Sequence, residues 1–184
     1  MSNSRLELAK LLAQLSYRSG TFTLASGLES DFYVDVKQTV FTARGSALVG
    51  SLLCDSLQRA GITLVGGMAV GAIPLVTAAL DAAAARDYAL DGFFVRKDVK
   101  SHGTARKIDG RFDASAKIAL VEDVVTTGES TIKAIDTVEQ AGGRVSLVIS
   151  IVDREENNGL QNLAARSDSV EALATRTEII AAAG

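Results

Sequence analysis

Apolar residues recur along this chain in two rhythms, and each change of rhythm marks a new element. Leu8, Leu11, Leu12 and Leu15 return at helical spacing behind a capping Asn3 or Ser4, which predicts a helix to about Tyr17, stopped by Gly20. Two short extended pieces follow at residues 21–25 and 31–36, and the turn-like Ser26-Gly27-Leu28-Glu29-Ser30 between them predicts a small antiparallel appendage. Beyond Thr42 the order becomes regular. A helix to Ala60, ended by Gly61, precedes a strand over 62–65 and a helix over 72–86. A strand over 92–95, a long polar loop, a strand over 117–121 and a helix over 128–141 come next, the last stopped by Gly142-Gly143. The longest β-branched run predicts a strand at 145–152, and the tail predicts a short helix at 160–166, a weak strand at 170–173 and a terminal helical turn.

Short unbroken Val/Ile/Leu runs separated by helices belong to strands buried on both faces. The expected fold is therefore α/β, a doubly wound, mainly parallel sheet, with residues 1–40 forming an N-terminal helix and hood on a single domain spanning 1–184. Ligands of such sheets collect at the carboxyl ends of the strands. The unusual polar residues all fall there: Gly66 and Gly67, Arg96 and Lys97, Glu122 and Asp123, Asp153 and Arg154.

Composition narrows the classes. A chain of 184 residues, 47% hydrophobic and 22% charged, is long enough for one well-buried domain. Its formal net charge of −3 gives no general attraction to nucleic acid or anionic lipid, so neither is an expected partner. Cys54 is the sole cysteine and lies in a helical pattern, which fits a buried thiol in a reducing compartment. No signal-like stretch opens the chain and no apolar run is long enough for a bilayer, so a soluble cytoplasmic protein is expected.

Four segments carry candidate chemistry. At Glu122-Asp123-Val124-Val125-Thr126-Thr127-Gly128-Glu129-Ser130 a strand is expected to end in paired acids and turn into a helix. Such a junction aims unpaired amides, with their partial positive charge, at one point among the Thr126, Thr127, Ser130 and Thr131 hydroxyls, a seat for phosphate. Two carboxylates beside it suit sugar hydroxyls or the water shell of Mg²⁺ better than a nucleotide tail. An ordinary capped turn is the plainer alternative. The loop from Arg96 to Gly110 concentrates Arg96, Lys97, Lys100, Arg106 and Lys107 with the only histidine, His102. As a solvated face it would do nothing; as a lid it could close over a polyphosphate, with His102 a proton donor to a leaving oxyanion. Gly66, Gly67 and Gly71 either admit a ligand or allow tight strand–helix packing, with Pro74 in the first turn of the following helix. Arg154 either forks onto a substrate carboxylate or pairs at the surface with Asp153, Glu155 or Glu156. No Gly-x-x-x-x-Gly-Lys-[Ser/Thr] loop or Gly-x-Gly-x-x-Gly fingerprint occurs.

Together these motifs resemble the type I phosphoribosyltransferase family and, within it, the orotate phosphoribosyltransferases. Val121-Glu122-Asp123-Val124-Val125-Thr126-Thr127-Gly128 is similar to the phosphoribosyl diphosphate (PRPP) motif, and Arg96-Lys97-x-x-Lys100-x-His102-Gly103 resembles the orotate enzymes' catalytic loop. Phe22-Thr23-Leu24-Ala25-Ser26-Gly27 with Ser30-Asp31-Phe32-Tyr33 is similar to their hood. The resemblance implies transfer of a phosphoribosyl group from PRPP to orotate, with Lys100, His102 and Asp123 catalytic. It implies PRPP bound by Arg96, Lys97, Lys100, His102, Glu122, Asp123, Val124, Val125, Thr126, Thr127, Gly128, Glu129 and Ser130, and orotate by Thr126 and Arg154. It further implies Mg²⁺ held mainly through PRPP and water with no dedicated protein ligands, and a homodimer in which the loop over 96–110 reaches the neighbouring site. Ala25 and Gly71 stand where family members often carry lysine; Lys37 is the candidate to supply the missing charge. Glu129 is expected to point away from the phosphate. Any later decarboxylation is expected on a separate polypeptide. Two readings compete: a purine-base phosphoribosyltransferase, against which Arg154 and the cationic loop argue, and a PRPP-sensing regulatory protein that would need a basic outer face.

Overall fold

The apolar runs expected as buried strands pair side by side. The computed structural model describes residues 3–23, 29–97 and 107–184. In chain order the elements are α1 (Asn3–Leu15), β1 (Tyr17–Thr23), β2 (Glu29–Val34), α2 (Lys37–Val40), α3 (Ala43–Ala60), β3 (Leu64–Gly66), α4 (Ala72–Ala84) and β4 (Asp91–Val95). They continue as β5 (Ile108–Gly110), β6 (Ile118–Val125), α5 (Glu129–Gln140), β7 (Val145–Asp153), α6 (Gly159–Ala164), β8 (Ser169–Thr175) and α7 (Arg176–Ala183). A six-stranded sheet runs in the order β5-β4-β3-β6-β7-β8, parallel except for β5 against β4, and β1 and β2 form a separate antiparallel pair. This is the α/β class expected, with the hood apart from the main sheet.

Alternation along each strand feeds two cores. Val65, Ala119 and Leu147 pack with Leu8 and Leu12 of α1, Leu53 and Leu57 of α3 and Leu75 of α4. Their neighbours Leu64, Leu120 and Val148 face the other way, onto Ala134, Ile135 and Val138 of α5 and Leu163 of α6. Because helices cover both faces, these strands have no water-facing side and read as continuous apolar runs. From β3 the chain runs outward to β4 and β5, then returns to β6 on the other flank of β3. The carboxyl ends of β3 and β6 therefore frame a topological switch point, the place where sheets of this kind bind their ligands.

Several boundaries differ from expectation for identifiable reasons. α1 ends at Leu15, before Gly20: the Ser16 hydroxyl is buried against Thr39 Oγ1 at 2.6 Å, and Tyr17 opens β1 with its ring stacked on Phe32 at 5.2 Å. Tertiary contacts there override helix periodicity. α2 and β5 were not expected; four and three residues are too few for a period to show. β5 takes the end of the long polar loop and pairs it with β4, so Ile108 to Gly110 are strand. β6 runs on past Val121 to Val125 because its pairing with β7 continues, Glu122 opposite Ser150 and Val124 opposite Val152. Glu122 and Asp123 thus lie inside the strand, which runs on to Val125 where it was expected to end in the acids. Cys54 is fully buried in α3, as expected, and burial pushes its thiol pKa up. No helix among the described residues is long and apolar enough to cross a membrane.

Candidate active site

Two glycines at the end of β3 are there for packing. A Cβ on Gly66 would lie 2.4 Å from the Phe93 ring, and one on Gly67 would lie 2.3 Å from the Val121 carbonyl oxygen. Gly71 differs: a Cβ there would meet the Cγ and both carboxylate oxygens of Asp123 at 3.0 Å. The turn between β3 and α4 therefore presents bare backbone to Asp123.

Across the switch point, β6 hands over to α5 through Thr126, Thr127 and Gly128. Gly128 takes the left-handed conformation (φ 80°), and the Glu129 amide donates to Thr127 Oγ1 at 3.3 Å. The turn encloses a cavity of about 220 Å³ lined by Glu122, Val124 to Gly128 and Glu129 to Thr131, most of it polar backbone and hydroxyl. It is braced from below by α6. A Cβ on Gly159 would come 2.5 Å from the Thr126 carbonyl oxygen, and Asn162 Nδ2 donates to the Thr127 carbonyl at 2.9 Å. Neither residue carried a signal in the sequence, because the contact joins segments some 35 residues apart. Glu129 points outward as expected, paired with Lys133 at 2.6 Å one helical turn on.

The two acids are not equivalent. Glu122 is 7% exposed and accepts a hydrogen bond from Thr131 Oγ1 at 2.8 Å. Burial foremost, then the hydrogen bond and charge of Asp123, push its pKa up to about 8, with the Thr131 hydroxyl opposing. The pair thus presents less negative charge than two adjacent acids would. Asp123 is half-buried; its Oδ1 accepts from the Val124 amide at 2.9 Å, and Lys37 Nζ stands 3.8 Å from its Oδ2. Lys37 is itself anchored on Asp35 at 2.7 Å, and its pKa is raised by that hydrogen bond first, burial opposing, with the charges of Asp123 and Asp35 adding.

Arg96, at the end of β4, pairs with Asp109 across the hairpin and stacks over Phe94 at 5.4 Å. With Lys97, Lys107, Lys133, Met68 and Ser130 it lines a cavity of about 480 Å³ that shares Ser130 with the amide turn. Lys100 and His102 lie outside the described residues. Arg154 follows β7 directly beside β6, its amide donating to the Val125 carbonyl at 3.0 Å. It is buried: Nη2 donates to the Phe32 carbonyl at 3.1 Å and to Glu156 at 3.3 Å, and the guanidinium lies 5.7 Å from the Phe32 ring centre. Arg176 approaches the same ring at 5.4 Å and the same Glu156 at 3.0 Å. Arg154 is thus no surface ion pair; it joins the hood to the sheet edge. Asp153 beside it has its pKa raised by burial. Glu122 to Ser130, Arg96, Lys97 and Arg154 are all brought to one edge of the sheet. Among the described residues no group of three or more His, Cys, Asp or Glu gathers as a metal site.

A parallel sheet in this strand order, hooded at its carboxyl edge and carrying a hydroxyl-lined amide turn at the switch point, is the architecture of the type I phosphoribosyltransferases. No family model matches the chain, but individual relatives do. An orotate phosphoribosyltransferase of Bradyrhizobium sp. (strain BTAi1 / ATCC BAA-1182) is 40% identical over 159 residues, 84% of this chain and 86% of that protein. One from Sorangium cellulosum (strain So ce56) is 39% identical over 182 residues, covering 97% and 94%. Among solved structures, Mycobacterium tuberculosis H37Rv orotate phosphoribosyltransferase in complex with Fe(III) dicitrate superposes with a TM-score of 0.83 at 34% identity, covering 96% of this chain and 98% of that one. The same enzyme in complex with PRPP gives a TM-score of 0.79 at 30% identity, with the same coverage. The chain belongs to the orotate phosphoribosyltransferase family.

Proposed function

We infer that this protein transfers the 5-phosphoribosyl group of PRPP to orotate, giving orotidine 5′-monophosphate and diphosphate. The observation that carries the reading is the meeting, at one switch point, of an amide turn built for a phosphate, a half-buried carboxylate and a buried arginine. In this reading Thr126 to Ser130 wrap the 5′-phosphate, with backbone amides and the Thr126, Thr127 and Ser130 hydroxyls as donors. Glu122 and Asp123 hold the ribose hydroxyls, with Glu122 braced by the Thr131 hydroxyl. Arg154 and Thr126 take orotate, the arginine by its carboxylate. Arg96, Lys97, Lys100 and His102 serve the diphosphate.

Orotate brings its own nucleophile, a ring nitrogen, so no covalent protein intermediate is needed. The C–O bond from the anomeric carbon to diphosphate breaks while the C–N bond to the base forms. Asp123 sets negative charge near the electron-poor sugar, and the cations of the Arg96 loop stabilise the departing polyanion. Loop closure keeps water from the reactive sugar. His102 gives a proton to the leaving oxygen, and Lys100 balances its charge. Mg²⁺, bound mainly through PRPP and water, would neutralise diphosphate oxygens, and the half-exposed Asp123 carboxylate suits contact with its water shell. A cytoplasmic homodimer whose 96–110 loops reach across to the neighbouring site completes the reading; the likeness to orotate enzymes along most of the chain disfavours the purine alternative.

Mixing the protein with PRPP, Mg²⁺ and orotate should erase orotate's ultraviolet band only when all are present. Turnover of hypoxanthine or adenine in its place would overturn the reading.

A further inference from the structure

We propose that Lys37 is a positioning residue for Asp123: anchored by Asp35 on the hood side, it holds the sugar-facing carboxylate from a direction the PRPP motif does not supply. The inference rests on the reading of Asp123 as the ribose-binding acid. α2 starts at Lys37 with no side-chain cap from Val36, and Asp35 serves its first turn instead. Asp35 Oδ1 accepts the Lys37 amide at 3.2 Å, Asp35 Oδ2 accepts Gln38 Nε2 at 3.2 Å, and the Lys37 ammonium closes on Oδ1 at 2.7 Å. The long side chain is thereby fixed at its tip, and its charge stands 3.8 Å from Asp123 Oδ2.

Asp123 is then secured on two flanks, Oδ1 by the Val124 amide and Oδ2 by Lys37. Gly71 lines the third flank and offers no side chain; a Cβ there would already touch the carboxylate at 3.0 Å. A carboxylate facing a polyanionic substrate would otherwise turn toward solvent, and a cation fixed on Asp35 opposes that rotation. Lys37 acts on PRPP through Asp123 and makes no contact of its own with the substrate.

A double-mutant cycle on PRPP binding, measured by calorimetry with Mg²⁺ present, tests this. Lys37→Gln should weaken PRPP binding about fivefold, the upper end for a half-exposed ion pair, and should weaken it less than about twofold in an Asp123→Asn background. Lys37→Arg should bind PRPP within about twofold of the parent protein, and KM for orotate should not move in either variant. Equal losses from Lys37→Gln in both backgrounds would show direct contact with PRPP and overturn the proposal, as would no loss in the parent background. If Asp123→Asn alone leaves PRPP binding unchanged, the assignment of Asp123 fails and the proposal with it; if Asp123→Asn weakens binding and Lys37→Gln does not, only the role of Lys37 fails.

Discussion

Two adjacent carboxyls on one strand meet different fates here. Glu122 is buried against Thr131, while Asp123 is half-buried beside Gly71 and Lys37. An acid with a raised folded pKa binds a proton that the unfolded chain has already released. Its contribution to stability is complete below the unfolded value of about 4.5 and is lost as pH rises through about 8. Glu122→Gln keeps an acceptor for Thr131 and removes the titration. Its melting temperature relative to the parent should therefore rise from pH 5 to about pH 8 and level off above it, and a difference independent of pH would contradict the assignment. Arg154 is the second residue whose surroundings define its work. A charge-assisted fork onto a carboxylate contributes about 1.5–3 kcal/mol, so Arg154→Ala should raise KM for orotate roughly 10- to 100-fold. KM for PRPP should move far less; equal effects on both would remove Arg154 from the orotate site.

At the scale of elements, the phosphate turn depends on a helix it is not connected to. α6 touches the turn through Gly159 and Asn162, with backbone-to-backbone clearance that only glycine allows at position 159. Gly159→Ala must push Thr126 aside, at a cost of about 1–3 kcal/mol typical of overpacking. Urea denaturation should register that loss, and PRPP binding should weaken with it; full affinity in the variant would mean that the turn tolerates displacement. Long periodic elements such as α3, β7 and α5 were legible in the sequence because many residues vote for one rhythm. The three residues of β5 and the four of α2 had too few votes, and α1 stopped early because Ser16 found Thr39 rather than another helical turn. The acid pair was legible as chemistry, yet its placement inside β6 was not, since strand length there is set by pairing with β7. The brace from α6 and the reach of Lys37 to Asp123 are contacts between distant segments, which no local pattern encodes.

For the molecule as a whole, ligand binding and folding are one equilibrium. A substrate that binds only the folded chain, at about a hundred times its dissociation constant, stabilises it by about 2.7 kcal/mol, equivalent to roughly 5–10 °C in melting temperature for a domain of this size. PRPP with Mg²⁺ should produce that shift in the parent protein and little of it in Asp123→Asn; an unaltered shift in the variant would place the sugar elsewhere. The sheet order that makes this possible sets β3, β6 and β7 side by side. Phe32 adds a longer reach. Its ring meets Arg154 at the end of β7 and Arg176 at the start of α7, so stretches near opposite termini are clasped at a single aromatic. Fusion tags or nicks that fray either extremity would accordingly blunt recognition of the base while sparing the grip on phosphate, because the amide turn is moored to α6 and not to that clasp.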